Sequence, residues 1–429
     1  MKKYAQKLRR RAEQVFRSTI FQNVLSLQSV ELLKKVVPLL LVPYLARVLG
    51  AGGWGLVAFA KSFSAYLVRA IEYGFNITIT RRISRHKNDS EELNHIFADV
   101  MGVTALLVVA VVTIGYGLSF VISEFEKSLF LWATMWYVLA KGLHPAWWFL
   151  GLEKMRALAV FEGVGKLVTV VAMFLLVKRP SDVWIAVALY GLGAAVATTL
   201  GFIWVFRRVS LRLPRPARML DMMKEGFSIF AYRWAAILYT EGNSFTLGLF
   251  VAPQYVGYFA GAEKISRASW SVLTPVGRAL FPRLSELVKT DIEKARRLVR
   301  ISTGVLVGAS VALGIFIIAA APQIVGILLG EGYEPAIPVL QILAFIPLLT
   351  AIQNIYGEQW MLPHGMDWSF STIIIFGAFL NLTLAIFLIP SFSYFGMAYA
   401  FVSTKIMIAI SMFLTLWKKG NNPLIRNEI

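Results

Sequence analysis

The chain has 429 residues, 57% hydrophobic and only 16% charged, and it contains no cysteine. A soluble domain carries about 25% charged residues, so a water-soluble class is excluded, together with disulfides, thiolate metal sites and cysteine nucleophiles. The formal charge of +19 would suggest nucleic acid in a soluble protein. In a membrane protein it first reflects basic connections on one side, and no nucleic-acid partner is expected. His86, His95, His144 and His364 are scattered without i, i+4 spacing, so neither a metal site nor a cofactor is expected.

In chain order, the basic lead MKKYAQKLRRRAEQVFR runs into an apolar stretch with no A-x-A cleavage site, and reads as the start of an uncleaved span. A transmembrane helix needs about 20 apolar residues. Apolar runs near 19–48, 54–78, 96–120, 129–149, 157–177, 183–206, 225–250, 255–278, 301–321, 337–361, 369–389 and 395–417 predict about twelve spans. Gly50, Gly52 and Gly53 mark the first turn, Pro180 the end of the fifth span, Pro214 and Pro216 the central connection, and Pro390 the end of the eleventh. With the N-terminus inside, the connections and tails on that side hold 28 Lys and Arg residues, against 3 (Lys127, Lys178, Arg179) on the other. That asymmetry predicts cytoplasmic termini.

The two halves echo each other. Gly55 to Lys61 aligns with Gly257 to Glu263, Arg82-Ile-Ser84 with Arg283-Leu-Ser285, and Trp148-Phe-Leu150 with Trp360-Met-Leu362. An even number of spans per half makes such a repeat parallel. The expected fold is therefore all-α, a polytopic membrane protein of two parallel six-helix halves, 1–213 and 214–429, around a central cavity.

Twelve bases remain within the spans: Lys34, Lys35, Arg47, Lys61, Arg69, Lys141, Lys166, Arg233, Lys264, Arg267, Arg278 and Lys405. Nine of them lie in spans one, two, seven and eight, against four acids there. Intramembrane charges are penalised by roughly 2.5–3.5 kcal/mol at a helix centre, so they face a partner or an aqueous cavity. Helical spacing offers Glu31–Lys35, Arg69–Glu72 and Glu263–Arg267 as local ion pairs. After those pairings Lys34, Lys61, Arg233 and Lys264 remain without an obvious local acid and become the leading candidates to line a basic cavity, with Arg69 and Arg267 next. A basic cavity suits an anion such as a phosphate, held by charge-assisted hydrogen bonds. Asp99, Glu241 and Glu263 are candidates for coupling to an ion.

Three motifs then carry a resemblance. Pro43-Tyr44-x-x-Arg47-x-Leu49-Gly50 followed by Gly55, Tyr73-Gly74-Phe75 leading to Arg81, Arg82 and Ser84, and Trp148-Phe149-x-Gly151-Leu152-Glu153-Lys154-Met155 resemble segments of Wzx-type polysaccharide flippases. These belong to the multidrug/oligosaccharidyl-lipid/polysaccharide exporter superfamily. The resemblance implies a flippase in the bacterial inner membrane. Its substrate would be an undecaprenyl-diphosphate-linked oligosaccharide repeat unit, of the kind built into O-antigen and lipopolysaccharide. It implies membrane lipids as neighbours and, as protein partners, a polysaccharide polymerase and a chain-length regulator. A multidrug exporter of the same superfamily is the alternative, disfavoured by the basic charge of the predicted cavity. A glycosyltransferase or polymerase would need a positioned acid–base pair, and the external connections carry none, so no enzymatic activity is expected.

Overall fold

The computed structural model describes the backbone of residues 19–126, 128–271 and 273–424, with the side chains of 40–126, 129–271, 273, 277 and 280–424. Lys34, together with Glu31, Lys35 and Arg278, therefore lies outside the described side chains. Among the described residues every regular element is helical. The order is α1 (Thr19–Glu72), α2 (Phe75–Arg85), α3 (Ser90–Leu118), α4 (Ser128–Gly142), α5 (Ala146–Gly151), α6 (Met155–Leu176) and α7 (Val183–Phe206). After a non-helical connection come α8 (Pro216–Thr240), α9 (Asn243–Gly248), α10 (Pro253–Ser271), α11 (Thr274–Thr290), α12 (Ile292–Leu328), α13 (Ala336–Leu343) and α14 (Ile346–Gln353). A π-helical segment, Asn354–Met361, and α15 (Asp367–Lys418) complete the chain.

Among the described residues, seven helical stretches are long and apolar enough to cross a bilayer: Leu40–Arg85, Ser90–Leu118, Met155–Leu176, Pro180–Phe206, Ile292–Leu328, Ala336–Met361 and Asp367–Lys418. Two of these contain a kink at a residue with non-helical dihedrals. In α1 it falls on Gly50 (φ 67°, ψ 178°), a conformation essentially confined to glycine. Gly52 and Gly53 are already helical, so the expected three-glycine turn is a one-residue turn. In α15 the break is Ser393 (φ 52°, ψ −136°), three residues after Pro390. Other apolar runs are interrupted. The fourth divides at Gly142–Pro145 into α4 and α5, and the seventh and eighth carry the charged residues singled out above. Large apolar side chains such as Val109, Leu167, Ile315 and Phe387 stand exposed along the long helices. Water does not tolerate so much apolar surface, whereas lipid does. The chain is an all-α, multi-pass membrane protein.

Two compact units are distinguishable. The first comprises Met1–Leu41, Tyr66–Lys178 and Trp184–Ala231. Its core gathers Phe75, Ile79 and Ile83 of α2, Ile96, Phe97 and Val100 of α3, and Trp147, Trp148 and Phe149 of α5, with Val205 and Met222. The resemblance motifs build this packing. Gly74 (φ 78°) makes the left-handed turn between α1 and α2, where Tyr73 stacks on Phe230 at 4.8 Å. Gly151 leaves room for Ile83, which a Cβ there would approach to 2.6 Å. Asp89 caps α3 by accepting from the Glu92 amide at 3.0 Å, meeting one of the donors a helix start leaves open.

The second unit comprises Val42–Ala65, Arg179–Val183 and Tyr232–Ile429. Within it the Gly50–Ala65 arm of α1 crosses α10 with almost no side chain between them. A Cβ on Gly55 would sit 1.8 Å from the Pro253 carbonyl oxygen, and one on Gly257 would sit 1.9 Å from that of Ala51. Each glycine thus faces the carbonyl four residues before the other, a symmetric crossing of the two segments that the sequence repeat aligns. Beside it, Phe59 and Phe63 pack on Phe245 at 5.2 and 5.1 Å. The Ser62 hydroxyl donates to the Glu241 carbonyl at 2.5 Å and accepts from the Phe245 amide at 3.0 Å. Outside the spans, Asp291 caps α12, and hydrogen bonds from Lys294 hold its carboxyl below the usual carboxylate range.

Candidate functional site

The candidate site is built around the break between α8 and α9. Helix α8 ends at Thr240, and a helix end leaves its last carbonyls without intrahelical donors. Here the Arg267 guanidinium donates from Nη2 to the Thr240 carbonyl, and Asn243 Nδ2 reaches the Tyr239 carbonyl at 3.4 Å. The same two side chains converge on Glu263, whose Oε1 accepts from Arg267 Nη2 at 2.8 Å and from Asn243 Nδ2 at 3.0 Å. Glu263 is only 6% exposed, so this carboxylate depends on its donors.

The next residue along α10 has a different environment. Lys264 is exposed. It lies within electrostatic reach of Lys61, Arg267, Glu263 and Glu241. Arg267 also packs over the Phe401 ring at 5.6 Å and acts electrostatically on Tyr239 and on Lys405. Arg233 and Glu358 both act on Tyr232, and Glu358 also acts on Tyr239 and Lys405. Five bases and three acids of the second unit are therefore linked into one network: Lys61, Arg233, Lys264, Arg267 and Lys405 with Glu241, Glu263 and Glu358.

Of the residues singled out from sequence, Arg267 pairs with Glu263, Lys61, Arg267, Glu241 and Glu263 lie within electrostatic reach of Lys264, and Arg233 is connected to them through Tyr232 and Glu358. Arg69 and Asp99 belong to the first unit. Arg69 pairs with Glu72 at 2.5 Å, as its i, i+3 spacing allows. Asp99 is fully buried, its Oδ1 accepting from the Arg215 amide at 2.7 Å and its Oδ2 lying 3.5 Å from the Arg215 guanidinium. Lys34 lies outside the described side chains.

Two network members escape a reading based on local spacing. Lys405 on α15 is 9% exposed; its ammonium donates to Gln353 Oε1 at 3.0 Å and lies 5.7 Å from the Tyr239 ring. Glu358 is presented by the π-helical segment, where Asn354 Nδ2 donates to it at 2.6 Å. Gln359 Nε2 in turn donates to Asn354 Oδ1 at 2.8 Å, and Ser302 Oγ donates to Gln359 Oε1 at 3.0 Å. π-helical turns are rare and concentrate at functional sites. The signal available in sequence is that Lys405 is the lone base of the last two spans and Glu358 the lone acid of the tenth. The first unit holds a separate ionisable group, with Glu162 lying 3.9 Å from His144 and 3.8 Å from Lys166. Among the described residues no cluster of His, Asp and Glu could hold a metal ion.

Residues 20–288 match the family described as Polysaccharide biosynthesis protein. The chain belongs to this family. Among its relatives is a protein of Escherichia coli (strain K12) named "Putative O-antigen transporter", 29% identical over 410 residues and covering 94% of this chain and 97% of that one. A protein of the same name from Shigella dysenteriae is 26% identical over 393 residues, covering 91% and 98%. Among solved structures, this family member is similar to the lipid II flippase MurJ in an inward closed conformation. The TM-score is 0.71 at 11% identity, over 92% of this chain and 87% of that one. It is also similar to a MATE transporter in a bent conformation, with a TM-score of 0.53 at 15% identity, over 89% and 97%. At such identities the structural likeness shows a shared fold. The family and the fold agree with the resemblance drawn from the three motifs.

Proposed function

We propose that this protein is a flippase that moves a lipid-linked oligosaccharide, an O-antigen repeat unit or similar surface polysaccharide on undecaprenyl diphosphate, across the bacterial inner membrane. The observation that carries this reading is the excess of bases in the network around Lys264. A diphosphate is too polar to enter hydrocarbon unaided, and Lys61, Arg233, Lys264 and Arg267 offer it charge-assisted hydrogen bonds. Arg69 and Lys34 remain proposed as further ligands. The prenyl chain stays in lipid, so only the head group needs an aqueous path.

In this proposal the chain crosses the membrane twelve times with both termini in the cytoplasm. The halves 1–213 and 214–429 alternate access without any covalent step, as parallel repeats do in other transporters. Of the three carboxylates considered for ion coupling, Asp99 and Glu263 are committed to arginine partners. Glu241 is exposed, which favours it for taking up and releasing a proton. A polysaccharide polymerase and a chain-length regulator are the proposed protein partners, alongside membrane lipids.

The test is charge reversal at Lys264. In proteoliposomes, Lys264→Glu is expected to lower transfer of a fluorescent lipid-diphosphate saccharide by at least about tenfold, equivalent to about 1.4 kcal/mol. Lys264→Arg should retain most activity. Efflux of a cationic dye, measured in parallel, distinguishes the drug-exporter reading. Dye movement that survives in Lys264→Glu, with no saccharide transfer by the unmodified protein, would replace the flippase reading with that one.

A further inference from the structure

The connection between α7 and α8 is built differently from the other described loops, and its features are independent of the transport site. Residues 207–220 (RRVSLRLPRPARML) hold five arginines and no acid. The stretch 209–215 has no regular secondary structure, yet it is held firmly to α3. The Ser210 amide donates to Asn94 Oδ1 at 3.0 Å, and Arg215 binds Asp99 through both amide and guanidinium. Pro214 packs so closely on Gly102 that a Cβ there would lie 2.8 Å from it. Arg218 then returns to Glu92 at 2.8 Å. The segment therefore climbs along α3 from residue 94 to residue 102, a rise of roughly 12 Å, and turns back into α8.

The height it reaches can be read from α3 itself. Beyond Asp99, residues 100–118 of α3 carry no charge, and 19 residues span about 28 Å of helix, close to the ~30 Å hydrocarbon thickness. Asp99 thus marks the edge of the apolar layer, and the tip of the loop at Pro214 lies just inside it. On this climbing segment Leu211 is 77% exposed and Leu213 88% exposed. Arg207, Arg208 and Arg212 are exposed as well. Arg208 lies over the Trp204 ring at 3.7 Å, whereas among the described residues no hydrogen bond or ion pair engages Arg207 or Arg212.

We propose that residues 207–213 form a docking element for anionic phospholipid: Leu211 and Leu213 enter the acyl boundary while Arg207, Arg208 and Arg212 hold the phosphate head groups of that leaflet. Leucines placed at the apolar edge and arginines without acidic partners are complementary to a negatively charged lipid surface and to little else at that height. Arg215 and Arg218 differ from the other three because Asp99 and Glu92 already neutralise them. They anchor the loop, and the remaining arginines read the lipid.

The experiment uses the full-length protein in detergent micelles, titrated with phosphatidylglycerol or phosphatidylcholine and read by native mass spectrometry. The unmodified protein is expected to retain phosphatidylglycerol preferentially, and the preference should weaken with salt. Each arginine near an anionic surface contributes about fivefold, so Arg207→Gln/Arg212→Gln should lower the preference by roughly 25-fold. An unchanged preference in that variant would overturn the proposal. A second measurement leaves the arginines intact. Leu213→Cys in this cysteine-free chain, labelled with bimane and placed in phosphatidylglycerol vesicles, should be quenched by brominated acyl chains and shielded from iodide. Quenching by iodide instead would put Leu213 in water and equally overturn it.

Discussion

Gly257→Ala is expected to destabilise the protein by about 3 kcal/mol, the upper end of what overpacking usually costs. Alanine in place of a helical glycine would by itself stabilise a helix by roughly 1 kcal/mol, so the overlap must win for the prediction to hold. It should win, because the new methyl group would lie 1.9 Å from the Ala51 carbonyl oxygen and 2.8 Å from its carbon. Backbone on both sides of the crossing offers no rotamer change to relieve the contact. Gly55→Ala meets the Pro253 carbonyl in the same way and should behave alike. The double variant should lose less than the sum of the two, since one separation of the helices accommodates both methyl groups. Thermal unfolding of the purified protein in detergent measures all three. A Gly257→Ala protein that melts with the unmodified one would mean that the helices do not touch at this point.

Arg267→Met is expected to be comparably damaging, through charge rather than volume. It strips the buried carboxylate of Glu263, 6% exposed, of its arginine donor and leaves it the hydrogen bond from Asn243. Removing one partner of a buried ion pair costs about 3–5 kcal/mol, and the lower end applies because the Arg267 side chain is 33% exposed. Adding Glu263→Gln removes the stranded charge and should restore most of the thermal stability. If the double variant melts as low as Arg267→Met, the pair is not what holds this region together. The same double variant also separates structure from transport. Recovered stability with lost saccharide transfer assigns Arg267 a substrate role, and recovered transfer confines it to positioning Glu263.

Much of this architecture is written in short-range pattern. The membrane class follows from apolar runs, and the kink at Gly50 from a residue that tolerates its backbone angles. Helical spacing anticipates both Arg69–Glu72 and Glu263–Arg267. The concentration of bases in the second and eighth spans is matched by the electrostatic proximity of Lys61 and Arg267 to Lys264. What spacing along one helix cannot convey is which distant helix supplies the next neighbour. Lys405 and Glu358 enter the network from α15 and from a π-helical turn, 134 and 87 residues beyond the end of α10. Asp99 looks like a free intramembrane acid until the connection 207–218 folds back on α3 and brings Arg215 to it. The same fold-back turns a stretch that reads as a linker into a fixed part of the first unit.

The π-helical segment also means that the internal repeat is not carried through into matching chemistry. Trp148 aligns with Trp360, but the first lies in a short α-helix and the second in a π-helix. In that alignment the position of Glu358 is occupied in the first half by Ala146. The two aligned positions therefore differ both in residue and in backbone. Reinstating α-helical geometry by deleting one residue from 354–361 would rotate everything after the deletion by about 100° and swing Glu358 or its hydrogen-bonding neighbours out of line. Length at this point is therefore constrained by the hydrogen bonds of Glu358 and Gln359, and homologues should accept few insertions or deletions there.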